Sequence, residues 1–237
     1  MKKIIILTSS VILLVAIALT VVFLIIPMLN VKSNEDLFEY QIVTSNTIFI
    51  EKYLGDSPDV VIPDEIEGIE VRMVSGSTFL DCDDINSVFL GKNVEVFVYR
   101  AADMSSLKEI KVHEDNKFLY VEDGVLYDRS GTLIKCPSSK SGDKYVVKNG
   151  VNSIFEYAFA GCEELVSIEI PQGVTYLGRQ AFSGCYNLTT VKFPESVRYV
   201  GNEVFGGCQK LEDVNIPECI EKWRMDVVLA NSNLLNK

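Results

Sequence analysis

The chain has 237 residues, is 48% hydrophobic and carries a formal net charge of −11. That length gives one ordinary domain a real core, or two small ones, and the acidic balance argues against a basic, phosphate-binding face of the nucleic-acid type. A single histidine, His113, excludes every site that needs two, and leaves one candidate base for a nucleophile.

Lys2 and Lys3 open the chain, and residues 4–29 carry no charged side chain. A bilayer core takes about 20 apolar residues, whereas the apolar part of a cleaved signal has roughly 7–15. No small-residue cleavage pattern follows, and no cysteine precedes Cys82 to accept a lipid. The expectation is a transmembrane signal-anchor helix over 4–29, a cytoplasmic stub of 1–3 and a linker over 30–37, with the rest of the chain outside the cell. A long, cleaved signal peptide is the alternative, and it too exports the remainder.

Three stretches further on share one pattern: FAGCEELVSIEIP (159–171), FSGCYNLTTVKFP (182–194) and FGGCQKLEDVNIP (205–217). The shared form is F-x-G-C-x-x-L-x-x-[IV]-x-[IF]-P with a period of 23 residues, the mark of a stacked repeat. Two weaker copies precede them. One holds Phe79, Cys82, Ile85, Val88 and Leu90; the other holds Met104, Leu107, Ile110 and Val112. A last copy fades into residues 217–237, read as a degenerate C-terminal cap closing an open apolar face.

The columns dictate one unit. Leu165, Ile168 and Ile170 face inward and Glu169 outward, so LVSIEI is a strand, and Pro171 ends it. QGVTYLG makes a turn that carries Val174 and Leu177 inward. RQAFSGC is expected as a short helical turn that tucks Phe182 and Cys185 under the next strand. The expected core is therefore Phe159, Cys162, Leu165, Ile168 and Ile170, then Phe182, Cys185, Leu188, Val191 and Phe193, then Phe205, Cys208, Leu211, Val214 and Ile216. At about 4.8 Å per strand, five stacked repeats give a sheet on the order of 24 Å wide. Methionine shares the cysteine column at Met104 and replaces a core thiol but not a zinc thiolate, so the column reads as core. A disulfide between neighbouring copies stays open on spacing.

Residues 120–137 (YVEDGVLYDRSGTLIKCP) alternate apolar and polar positions around Asp123-Gly124 and Ser130-Gly131, a β-meander. Together with the repeats, this pattern resembles the leucine-rich repeats of the BspA-like bacterial cell-surface proteins, over about residues 38–217. The resemblance implies lead-in strands over 38–62, repeats 1–2 over 63–112, a hairpin insertion over 113–147 and repeats 3–5 over 148–216. The fold class implied is a mainly β repeat solenoid behind one transmembrane helix. The family's association with adhesion and host-surface contact implies an interaction module, though fold alone does not fix function.

Outward strand positions form two rows. One runs Phe89, Lys111, Glu169, Lys192 and Asn215; the other runs Ser87, Glu109, Ser167, Thr190 and Asp213. Their alternating charge predicts cross-strand pairs such as Glu169 with Lys192. Tyr176 and Tyr199 share a column and form an aromatic strip if exposed; lateral packing between repeats is the other reading. The first row and the two tyrosines are the candidate ligand-binding residues. Asp81 and Asp83 lack the spacing of a calcium loop. His113, beside Glu114 and Asp115, has no nucleophile elbow to serve. No cofactor or metal is expected. The function expected is a membrane-anchored extracellular module that binds a protein or glycan, with a scaffold or accessory subunit of an envelope assembly as the alternative; catalysis is not expected.

Overall fold

The computed structural model describes residues 34–215 apart from 75–77, 81, 83, 99–105 and 141. The apolar segment 4–29, the column member Met104, the acidic pair Asp81 and Asp83, the core candidate Ile216 and the cap 217–237 lie outside those residues. Among the described residues no helix is long and apolar enough to cross a membrane.

The chain winds as a solenoid, and each turn lays one strand in each of two walls. The first wall takes β2 (Thr47–Tyr53), β5 (Ile69–Val74), β7 (Val96–Phe97), β11 (Thr132–Lys135), β13 (Ser153–Ile154), β15 (Tyr176–Leu177) and β17 (Tyr199–Val200). The second takes β3 (Asp59–Ile62), β6 (Ser87–Leu90), β8 (Glu109–Val112), β12 (Lys144–Val146), β14 (Ser167–Glu169), β16 (Thr190–Lys192) and β18 (Asp213–Asn215). That makes seven turns among the described residues, where the repeat pattern alone gave five. The lead-in supplies one through β2 and β3, and the supposed insertion supplies another through β11 and β12. On either side of the meander neighbouring turns pair parallel within each wall, as in Ser167↔Thr190 and Tyr176↔Tyr199. Strand β1 (Phe38–Thr44) closes the lead-in as an antiparallel hairpin with β2, and β4 (Glu65–Ile66) folds back on β5.

The inward columns meet as expected. Phe159, Phe182 and Phe205 stack at 5.2 and 5.6 Å, and they are buried with Cys162, Cys185, Cys208, Leu165, Leu188, Leu211, Ile168, Ile170, Val191 and Phe193. Val214 is half-buried against the same cluster. The segment between a first-wall strand and the second wall is not helical. It is a run of overlapping turns, with Ala160 N donating to Tyr157 O and Cys162 N to Phe159 O. The helical expectation fails because each run opens on a left-handed residue (Tyr157, Gln180, Glu203) and reaches another at Gly161, Gly184 and Gly207. A left-handed residue breaks helical propagation.

The meander is confirmed. Strands β9 (Leu119–Glu122) and β10 (Val125–Asp128) join through Asp123-Gly124, and β10 pairs antiparallel with β11. It is not looped out of the array. Strand β11 pairs parallel with β13, and the meander's two faces enter two different cores: Val125, Tyr127 and Leu133 join the C-terminal cluster, Leu126 and Ile134 the N-terminal one.

Both walls divide here: the first into β2-β5-β7 and β11-β13-β15-β17, the second into β3-β6-β8 and β12-β14-β16-β18. Where the second wall is continuous, the carbonyl just before each strand accepts the next turn's backbone N–H: Asn86 O from Lys108 and Glu109, Val166 O from Thr189. At the break the Ser139 hydroxyl donates to Lys108 O at 3.2 Å instead, and Ser138 to Leu107 O at 3.2 Å. Side chains thus satisfy carbonyls that the interrupted ladder leaves.

Candidate interaction surface

Register builds the tyrosine strip. Tyr176 and Tyr199 face each other across adjacent parallel strands, while Leu177 and Val200 point into the core. The strand spacing sets the ring spacing: centroids lie 4.7 Å apart and the planes differ by 4°. Tyr199 is 40% exposed. Burial first, and then the neighbouring Tyr199, pushes the Tyr176 hydroxyl up from its ordinary value. Ser153 and Thr132 continue the row toward the meander, and Arg179 pairs with Glu203 at 3.6 Å beside it.

Glu169, Lys192 and Asn215 lie on the other wall, in register with Val146 on β12. The expected Glu169–Lys192 pair is replaced. Glu169 takes Lys144, at 2.9 Å, and that bond above all holds its carboxyl below the usual range, with Lys192 adding a weaker pull. The Asn215 side chain is committed to the backbone: Oδ1 accepts from Phe193 N at 2.9 Å and Nδ2 donates to Phe193 O at 3.1 Å.

Phe89 and Lys111 sit beyond the break, in register with Val61. Lys111 pairs with Glu109 on its own strand at 2.7 Å, and the Phe89 ring meets His113 edge-on at 6.2 Å. His113 Nδ1 accepts from Asp115 N at 3.1 Å, so the ring serves its own turn. The seven candidates thus divide into three groups on three sheets.

Two clusters carried no sequence signal, because their members lie far apart in the chain. Asn116 is buried and joins four backbone groups: Nδ2 donates to Gly91 O (2.8 Å) and Val94 O (3.0 Å), and Oδ1 accepts from Phe118 N and Leu119 N (both 2.8 Å). Lys148 Nζ lies 4.6 Å from the Tyr120 ring and 4.3 Å from Tyr127, and it donates to Tyr120 Oη (2.8 Å) and Glu122 (2.5 Å). Cation–π attraction and an ion pair thus fasten the meander to the following turn. Among the described residues no group of three His, Cys, Asp or Glu side chains has the arrangement to hold a metal ion. No disulfide joins Cys82, Cys136, Cys162, Cys185 and Cys208 to one another.

Residues 135–236 match the family described as BspA type leucine rich repeat region, in six copies. Over that C-terminal stretch the chain is similar to the BspA-type leucine-rich-repeat family. The pneumococcal vaccine antigen PcpA has a similar structure, with TM-score 0.52 at 20% identity, over 74% of this chain and 55% of that one. A leucine rich cell surface protein from Faecalibacterium prausnitzii A2-165 matches 78% of this chain and 82% of its own, at 17% identity and TM-score 0.48. The leucine rich repeat protein of T. pallidum matches 77% and 81%, at 24% identity and TM-score 0.41. No curated protein matches the chain. The family match begins at Lys135, and the structure carries the same two-walled winding upstream to β2.

Proposed function

We propose that this repeat array is a membrane-anchored extracellular interaction module that binds a protein or glycan through its first wall. The Tyr176–Tyr199 stack carries the reading: two rings held upright at fixed spacing, one of them 40% exposed. Tyrosine presents large amphipathic contact area at small entropic cost, and a rigid solenoid adds preorganisation. The anchor would be segment 4–29, which would place the array outside the cell.

The test is binding of the full chain, held in detergent micelles, to immobilised matrix proteins, mucins and glycans at physiological salt. A saturable interaction that Tyr199→Ala weakens supports the reading. Binding to these surfaces that Tyr199→Ala and Tyr176→Ala leave unchanged sinks it.

One observation favours a scaffold in an envelope assembly. Ile42 and Val43 are 54% and 55% exposed on β1, the outer strand of the lead-in sheet, and an apolar sheet edge is a template for another chain. Crosslinking of the membrane-embedded chain through a cysteine placed at Val43, with no ligand found on the panel, would favour assembly.

A further inference from the structure

A cleft of about 520 Å³ opens on the side where the chain crosses from the second wall back to the first. Three successive turns share it. Strand β5 brings Glu70 and Arg72, the loop between β6 and β7 brings Lys92, and the turn before β9 brings Asp115, Lys117 and Phe118. Side chains bonded to backbone stitch its frame. Asp64 Oδ1 accepts from Lys92 N at 2.6 Å, and Asn93 Nδ2 donates to Asp64 O at 3.2 Å. Asn116 ties the same loop to the Phe118 amide, through Gly91 O, Val94 O and Phe118 N. Arg129 N donates to Phe118 O at 3.0 Å. Phe118 is thus fixed at both its amide and its carbonyl, yet it stays 39% exposed, while the next residue, Leu119, is buried. A lone exposed apolar residue is ordinary; this one stands in a cleft whose other members are polar.

The charges around that ring are mixed. Arg72 pairs with Glu95 and lies 3.9 Å from Glu70, which also accepts from Asn46 Nδ2 at 3.1 Å. Lys92 Nζ lies 3.6 Å from Asp64. Lys117 is exposed and makes no ion pair among the described residues, and the Asp115 side chain is 77% exposed. A phosphate would set its charge against Glu70 and Asp115 as well as beside the lysines. An apolar side chain would strip water from these charges and return no hydrogen bond. A sugar does neither. Its hydroxyls donate to carboxylates and accept from ammonium groups, and hydrogen bonds to ionised groups are the stronger kind. Its C–H face complements the electron-rich face of a phenyl ring. The volume lies within the roughly 300–1,000 Å³ usual for small-ligand clefts. The geometry points to a carbohydrate-binding cleft, with Phe118 as the platform on which a pyranose ring stacks and Lys117 and Asp115 as the groups that bond its hydroxyls. The stitched frame holds the platform in place before the sugar arrives, so little ordering is left to lose on binding. The site is separate from the Tyr176–Tyr199 strip and needs neither of its rings.

The experiment measures binding of the full chain, in detergent micelles, to an immobilised panel of oligosaccharides ending in neutral hexoses, N-acetylhexosamines, and uronic or sialic acids. The expected result is saturable binding to at least one member of the panel. Phe118→Ala and Phe118→Leu should each weaken it about tenfold or more, and Phe118→Tyr, which keeps the ring face, should stay within about twofold. Tyr199→Ala should leave this binding as it is. The Phe118 side chain is replaced at an exposed position, so urea midpoints near that of the wild type should accompany all three Phe118 variants. Absence of binding to every member overturns the inference, and so does glycan binding that Phe118→Ala leaves unchanged. Wild-type affinity in Phe118→Leu overturns it too, because apolar bulk rather than a ring face would then hold the ligand. Glycan binding lost with Tyr199→Ala and kept with Phe118→Ala would credit the tyrosine strip instead, so the two proposals fail separately.

Discussion

A methyl group on Gly178 would sit 2.4 Å from the amide nitrogen of Glu156, and one on Gly201 would sit 2.5 Å from that of Arg179. These glycines let one turn's backbone lie on the next. Gly161 differs: its φ is +75°, yet nothing lies within 4 Å of the added carbon. Gly178→Ala should therefore cost roughly 3 kcal/mol or more through overpacking, and Gly161→Ala about 1 kcal/mol through backbone strain; urea midpoints of the two variants check the order. The 23-residue period reveals both columns. It does not separate their reasons, because the atoms that exclude a side chain at Gly178 belong to another turn. The left-handed Tyr157, Gln180 and Glu203 were invisible for a related cause: three different side chains share a backbone shape that the neighbouring turn dictates. The cysteine column also has a measurable consequence. Burial pushes the Cys208 thiol up to about 12, whereas an unfolded thiol titrates near 8.5. A raised folded value means that the stabilisation is full below the unfolded value and is lost as pH rises toward the folded one. Stability should fall between about pH 8.5 and 12, by about 2 kcal/mol at pH 10 for this group, and Cys208→Ala should flatten that slope in urea melts run from pH 7 to 10.

Elements were legible where the signal was local. The strand ending at Pro171 and the Asp123-Gly124 hairpin follow from alternation and turn chemistry, whereas the lead-in strands come from the family resemblance. The meander's place was not legible, because burial on both faces depends on two separate cores meeting there. Asn116 shows how the join is made. It ties β9 to the loop before β7 by four hydrogen bonds from one side chain. Asn116→Ala leaves buried backbone groups without those partners, and should cost roughly 2–4 kcal/mol. Hydrogen exchange at Phe118 and Leu119 should quicken before exchange in β13–β18 does, showing a local opening at the seam. A uniform loss across the array would mean that the seam is not a separate unit.

At the scale of the molecule, the seven described turns stack into two walls with different surfaces. The second wall is charged and self-paired, through Lys144–Glu169 and Glu109–Lys111, and Asn215 is spent on its own neighbour's backbone. Exposed pairs of this kind are worth little to stability and are already committed. The first wall shows a stacked aromatic pair and small hydroxyl residues. The sequence placed both sets on strands but merged them into one candidate surface, since a column pattern gives facing in or out and does not say which wall. The most direct test of the binding wall compares, against one captured ligand, the affinity of the full chain with those of Tyr199→Ala and of Lys192→Ala. A first-wall site should lose about tenfold or more in affinity with Tyr199→Ala, as truncation of an aromatic anchor does, and stay within about twofold with Lys192→Ala, as for a charge outside the contact. The reverse pattern, with Lys192→Ala costly and Tyr199→Ala silent, would contradict it and move the site to the charged wall.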